Sequence, residues 1–217
     1  MSLDSTIFIY LSGDSYPSDR YIEAALGERF RSAGARFLEQ HDVCGQETKF
    51  EPRKTALLST LASLEGGRVV AIGRSSGGRI LSLAAAEGAP IEAVIALGYP
   101  FRHPKRDEEP ERTLHLATTV VPTLILQGAN DPYGTKEGAE GRYRLSSAVR
   151  IVELPTNHEF RCKPELWDEI ARMITEFVEA VERAKSAGGD GSEGASGWGR
   201  VKRLVGWVRG LGWRHGA

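Results

Sequence analysis

Five apolar stretches, at residues 7–11, 69–72, 93–97, 123–126 and 149–154, alternate with segments of helical periodicity, and this alternation constrains the fold more than any other feature. A strand with one face in water reads apolar, polar, apolar. Runs that are apolar almost throughout are what burial on both faces produces, as in a parallel sheet covered by helices on each side. Between the runs, Ile22, Ala25, Leu26 and Phe30 share one helical face in a segment that opens near Ser18 or Asp19 and closes at Gly34. Leu57, Leu58, Leu61 and Leu64 make a second stripe, after Pro52 in a first helical turn and before Gly66 and Gly67. Ile80, Leu81, Ala84 and Ala85 make a third that ends near Gly88, and Pro164 opens a long last helix striped by Leu166, Ile170, Met173, Ile174, Phe177 and Val181. With a weaker strand at 35–38, the pattern predicts a doubly wound, mostly parallel α/β sheet of about six strands between two helical layers.

The chain has 217 residues, room for one such domain and an appendage. The expected division is a domain at 1–185, a Gly/Ser-rich linker at 186–197 and a tail at 198–217. Formal charge is near zero overall, yet the last twenty residues carry Arg200, Lys202, Arg203, Arg209 and Arg214 and no acid. On a helical wheel Val201, Leu204, Val205, Trp207, Val208 and Leu211 lie opposite most of these cations. Such a face suits peripheral contact with an anionic membrane; a disordered basic tail or one that docks on its own domain is the equal alternative. Single-stranded nucleic acid has no supporting fold element. Cys44 and Cys162 are the only cysteines, without the spacing of a disulfide framework or a zinc site, and the first residues lack a basic n-region, so the expected location is cytoplasmic.

The run at 69–72 ends in Gly73-Arg74-Ser75-Ser76-Gly77 and leads into a helical pattern. A Gly-x-Ser-x-Gly turn between strand and helix presents a serine hydroxyl in a strained backbone whose neighbours two positions away must be small. Gly73 to Gly78 has neither the Lys of a phosphate-binding P-loop nor the spacing of a dinucleotide fingerprint. In open α/β sheets chemistry gathers past the carboxyl ends of the strands, and two further candidates stand there. Asp131 follows the run at 123–126, and His158 follows the run at 149–154. Singly, Ser75 reads as a linker residue, Asp131 as a turn former before Pro132 and His158 as structural. Together they fall in the chain order nucleophile, acid, base.

Each residue type has a task in such a constellation. A histidine takes the proton of a weakly nucleophilic serine, and an aspartate fixes the imidazole tautomer. Backbone N–H groups of Ser76 and of Gly13 or Asp14, in the loop after the first strand, are the expected oxyanion donors. This chemistry requires no metal or cofactor.

The segments Gly73 to Arg79, Leu97-Gly98-Tyr99-Pro100-Phe101, His115-Leu116, residues 122–128 and Asp131-Pro132-Tyr133-Gly134 together resemble the small dienelactone-hydrolase-like branch of the α/β-hydrolases. That branch includes bacterial predicted hydrolases and relatives in a eukaryotic chromatin-modifying complex. The resemblance spans about residues 6–183 and implies a three-layer α/β-hydrolase fold with Ser75, Asp131 and His158 as triad. Its implied activity is hydrolysis of a small-molecule carboxylic ester or thioester. Two positions depart from the pattern. The first loop reads Ser12-Gly13-Asp14 where a His-Gly type sequence is usual, and an acid facing an oxyanion opposes catalysis, so Asp14 has to point away. Ser76 stands where Met or Gln is frequent. Asp14 and the tail motivate the competing reading, a non-enzymatic scaffold that binds a partner.

Residues 101–121, where larger relatives insert a cap, are short and charged here, which predicts a solvated loop with a brief helix around 112–117 and no cap domain. His103 and His115 within it read as loop-anchoring, and Tyr99 and Phe101 as either an acyl-pocket wall or core.

Overall fold

The computed structural model describes residue 3 and residues 5–187. The expectations for the linker beyond 187 and for the tail at 198–217 lie outside the described residues. Six strands, β1 (Thr6–Leu11), β2 (Arg36–Leu38), β3 (Arg68–Arg74), β4 (Ala93–Leu97), β5 (Thr123–Gly128) and β6 (Val149–Leu154), form one sheet in the order β2-β1-β3-β4-β5-β6. Every pairing is parallel. The helices are α1 (Arg20–Ser32), α2 (Gln40–Cys44), α3 (Phe50–Ser63), α4 (Ser76–Ala86), α5 (Lys136–Arg142) and α6 (Pro164–Ala187).

β1 shows why its run is unbroken. Phe8 and Tyr10 point into one core with Ile22, Leu26 and Phe30 of α1 and Ile170 and Ile174 of α6. Ile9 and Leu11 point to the other face, against Leu57 and Leu61 of α3 and Ile80 and Leu81 of α4. Successive side chains alternate between faces, so a strand covered on both sides has no solvent position to fill with a polar residue. Phe8 stacks on Phe30 with ring centroids 4.2 Å apart, which locks α1 to the sheet.

Some details differ from the sequence reading for physical reasons. Leu58 is exposed: the buried line of α3 is Arg53, Leu57 and Leu61, at intervals of four residues. A guanidinium therefore occupies a place on the apolar stripe. Glu23 is buried on α1, where Gln40 N–H (3.2 Å) and Arg20 Nε–H (3.1 Å) donate to its carboxylate. Residues 101–121 carry two short 3₁₀ turns, Pro110–Arg112 and Leu114–Ala117, and no cap domain.

The chain turns back on itself at β1, which has β2 on one side and β3 on the other. The loops leaving β1 and β3 thus diverge at the carboxyl edge of the sheet, the crevice where doubly wound folds place their ligands.

Candidate active site

Ser75 joins β3 to α4 with φ 50° and ψ −120°, a positive φ that costs a side-chain-bearing residue about 1–3 kcal/mol. Its N–H donates to Leu97 O at 2.9 Å, which pins the turn to the end of β4. Both flanking glycines are demanded by close approach. A Cβ on Gly73 would overlap the backbone of Gly77 and Gly78, and one on Gly77 would overlap the carbonyls of Leu11 and Ser12. The hydroxyl therefore stands at the N-terminus of α4, where unpaired N–H groups favour negative charge.

Asp131 and His158 arrive from the turns after β5 and β6, and both are buried. His158 Nδ1 lies 2.8 Å from Asp131 Oδ2, and His158 Nε2 lies 3.0 Å from Ser75 Oγ. A carboxylate only accepts, so Nδ1 carries the proton and Nε2 is left to accept the serine hydroxyl. The three residues that the sequence placed in order are thus one hydrogen-bonded chain. The ring of Tyr133 stacks on the imidazole at 4.2 Å, and Arg74 Nη2 donates to the His158 carbonyl at 3.2 Å. The rotation of the imidazole is held on its face as well as at its edges.

Gln127 and Gly98, to which sequence reasoning gave no role, support this chain. Gln127 is fully buried: its Oε1 accepts Tyr99 N–H at 2.8 Å, while its Nε2 faces Asp131 Oδ2 (3.0 Å) and Gly134 O (2.6 Å). Tyr133 N–H donates to the other Asp131 oxygen at 2.8 Å. A carboxylate with donors on both oxygens is fixed in place. Gly98, with φ 62°, lies beneath the Asp131–His158 contact. The signal for both residues was their place at the ends of β4 and β5, next to the motifs already noted.

The loop after β1 is largely committed to other partners. Ser12 N–H donates to the buried Gln40 Oε1 at 2.8 Å, and Ser12 O accepts from Arg53 Nη1 at 2.7 Å. Gly13 departs from its expected role, because its N–H is already donated to Asp19 Oδ2 at 3.1 Å. Gly13 is glycine for another reason: a Cβ there would collide with Arg74 Nη1, which crosses beneath it towards Ser15 Oγ (3.0 Å) and Asp19 (3.6 Å). The N–H groups of Asp14 and of Ser76, the first residue of α4, have no acceptor among the described residues. The Asp14 carboxylate is turned to Arg53 Nη2 (2.9 Å) and Ser76 Oγ (2.5 Å).

The remaining candidates belong to the scaffold. Tyr99 and Phe101 are buried with Leu116, Ile125 and Ile151. His115 Nε2 lies 2.8 Å from Ser82 Oγ and 3.3 Å from Tyr99 Oη, and burial pushes its pKa down to about 4. His103 meets Tyr133 edge-on and accepts Lys105 N–H at 3.2 Å.

A family model described as an alpha/beta hydrolase domain matches residues 42–185. The chain belongs to the α/β-hydrolases. A search of curated proteins gives no match. Among solved structures, this α/β-hydrolase is similar to Est1E from Butyrivibrio proteoclasticus, with 17% identity over 80% of this chain and 88% of that one and a TM-score of 0.60. It is also similar to an alpha-beta serine hydrolase homologue from Coxiella burnetii, with 18% identity, 80% and 87% coverage and a TM-score of 0.62. The esterase domain of a Rhodothermus marinus protein aligns with 17% identity, 82% and 87% coverage and a TM-score of 0.61. At these identities the likeness is one of fold. Among the described residues, no helix of this α/β-hydrolase is long and apolar enough to cross a membrane.

Proposed function

We propose that this α/β-hydrolase is a serine hydrolase that cleaves a carboxylic ester or thioester through an acyl-enzyme, with Ser75 as nucleophile, His158 as general base and acid, and Asp131 as its orienting partner. The observation that carries the reading is the continuous chain from Ser75 Oγ through His158 to Asp131, at 3.0 and 2.8 Å, built on a serine held at positive φ. Strain of this kind is retained where the hydroxyl has to stand clear of the backbone.

In the first half-reaction Ser75 Oγ attacks the carbonyl carbon while His158 Nε2 takes its proton. The N–H groups of Ser76 and Asp14 receive the developing oxyanion. The intermediate collapses with cleavage of the bond to the alkoxide or thiolate, which takes the proton from His158. Water then attacks the acyl-enzyme, His158 accepts its proton, and the carboxylic acid leaves as Ser75 is restored. With no cap domain over it among the described residues, the site suits small or exposed esters. The branch proposed is the dienelactone-hydrolase-like one, supported by the Leu97 to Phe101 and Gln127 to Gly134 segments.

The scaffold alternative drew on Asp14, and the pairing of its carboxylate with Arg53 and Ser76 Oγ weighs against it. An alkyl fluorophosphonate, which forms an Oγ–P bond and expels fluoride, decides between the two. Wild type is expected to label at a single serine, and Ser75→Ala not at all. A folded wild type that resists labelling overturns the hydrolase reading.

A further inference from the structure

We propose that Arg53 is a positioning residue for the oxyanion site: its buried guanidinium neutralises the Asp14 carboxylate and holds the Ser12 to Asp14 loop, so that an N–H of an acidic residue can face a developing negative charge. The inference rests on the hydrolase reading of Ser75.

Arg53 lies 22 positions upstream of Ser75, on the buried stripe of α3, and its side chain is 0% exposed. A cation is placed in a core only with partners, because desolvation penalises its charge. Burial pushes the pKa of Arg53 down, and Asp14 is the largest influence in the opposite direction. Among the described residues, every hydrogen-bond partner of the guanidinium belongs to the two segments beside the nucleophile. Nη1 donates to Ser12 O at 2.7 Å; Nη2 donates to Asp14 Oδ1 and Ser76 Oγ, both at 2.9 Å.

Asp14 makes the need for such a cation clear. Its side chain is 75% exposed, free in principle to extend into water, yet it accepts the Ser76 hydroxyl at 2.5 Å. That contact fixes a formal negative charge one residue from the nucleophile. A tetrahedral oxyanion forming at the N–H of Ser76 would meet this charge at short range, where repulsion between like charges is large. With Arg53 in place the pair is neutral overall and the N-terminus of α4 keeps its favourable field. The guanidinium fork also fixes Ser12 O and Asp14 Oδ1 from one rigid plane, which a lysine would not do.

Because the charge it compensates matters only when the oxyanion forms, Arg53 acts on kcat and not on KM. The test is a cycle of Arg53→Met, Asp14→Asn and the double variant in the full chain, followed by p-nitrophenyl acetate hydrolysis and the rate of fluorophosphonate labelling. Arg53→Met is expected to lower both rates on the order of 100-fold with KM within about twofold. The double variant, which removes both charges, should regain at least about tenfold of that loss. A merely structural staple predicts the reverse, since the double variant loses every tie that Arg53→Met loses and one more. A folded double variant as slow as Arg53→Met overturns the proposal. If Arg53→Met does not fold, Arg53→Lys decides: the retained cation is expected to keep kcat within about tenfold of wild type, and a folded Lys variant slower by more than about 100-fold overturns it. A wild type that does not react at Ser75 fails the hydrolase reading itself, whereas a reactive wild type with an unrescued double variant fails this inference alone.

Discussion

Gly98 lies directly beneath the imidazole of His158: a methyl group built on it would stand 3.2 Å from Nδ1, the nitrogen that faces Asp131. The residue also has φ 62°, where side chains are strained. Gly98→Ala should therefore cost stability and displace the imidazole together. A loss of about 1–2 kcal/mol in urea unfolding is expected, with kcat lowered at least about tenfold, because small misplacements of a reacting group are costly. An Ala variant with wild-type kcat would show that the site gives way without cost.

Gln127 offers a second route to the same carboxylate. Its Nε2 donates to Asp131 Oδ2 at 3.0 Å, and its Oε1 is the acceptor for Tyr99 N–H. Gln127→Leu strands the buried Tyr99 N–H and removes one of the two donors to Asp131 Oδ2, the other being His158 Nδ1, so about 1–3 kcal/mol of stability should go. Hydrolysis should fall about tenfold, a typical lower bound for loss of an outer partner. Chemical denaturation and steady-state kinetics of the folded variant measure the two effects separately.

The strain at Ser75 can be measured without reference to activity. Ala and Gly both remove the hydroxyl, but only Gly is at ease at φ 50°. Ser75→Gly should exceed Ser75→Ala in stability by about 1 kcal/mol, although neither labels with fluorophosphonate. A Gly variant less stable than the Ala variant would place the strain elsewhere.

His115 carries a pH signature unrelated to turnover. Its folded pKa is about 4 because burial disfavours the imidazolium, against an ordinary value of 6.5. Above that value neither folded nor unfolded chain binds the proton; below it the unfolded chain gains one that the folded chain resists. The contribution to stability is thus fully present above about pH 6.5 and is lost as pH falls towards about 4. With a discount for partial exposure, about 1 kcal/mol should disappear between about pH 7 and about pH 5. Urea midpoints of His115→Gln should show a smaller acid loss than those of wild type over that interval.

Much of the architecture was legible in the sequence because burial on two faces writes itself into residue type. The runs at 93–97 and 149–154 coincide with β4 and β6, and Ser75, Asp131 and His158 were found by position past their strands. β3 and β5 run on to Arg74 and Gly128, beyond their apolar runs, since strand ends at the site carry the residues that tie loops together. Two short helices left no periodic trace. α2 is five residues held by a capping box between Glu39 and Asp42, and α5 contains two glycines. Arg53 and Gln127 were illegible for a different reason. A polar side chain reads as exposed until its partners are known, and those of Arg53 come from a loop 39 positions away and from the start of α4, 23 positions away. The fourfold spacing of Arg53, Leu57 and Leu61 was the available trace.

The connection from β4 to β5 is tethered at a few buried points: Tyr99 Oη donates to Arg112 O at 2.6 Å, and Leu116 is fully enclosed. Between Phe101 and these anchors, residues 102–108 lie mostly in solvent and, apart from the Arg102 N–H that donates to Tyr133 O, carry none of the hydrogen bonds around Ser75, His158 and Asp131. Lengthening a loop between fixed ends costs little, since closure entropy grows only with the logarithm of length. The exposed stretch after Arg102 is therefore an interchangeable part. Chain can be grafted, enlarged or trimmed there by insertion while the strand-end turns that bring Ser75, Asp131 and His158 together stay as they are.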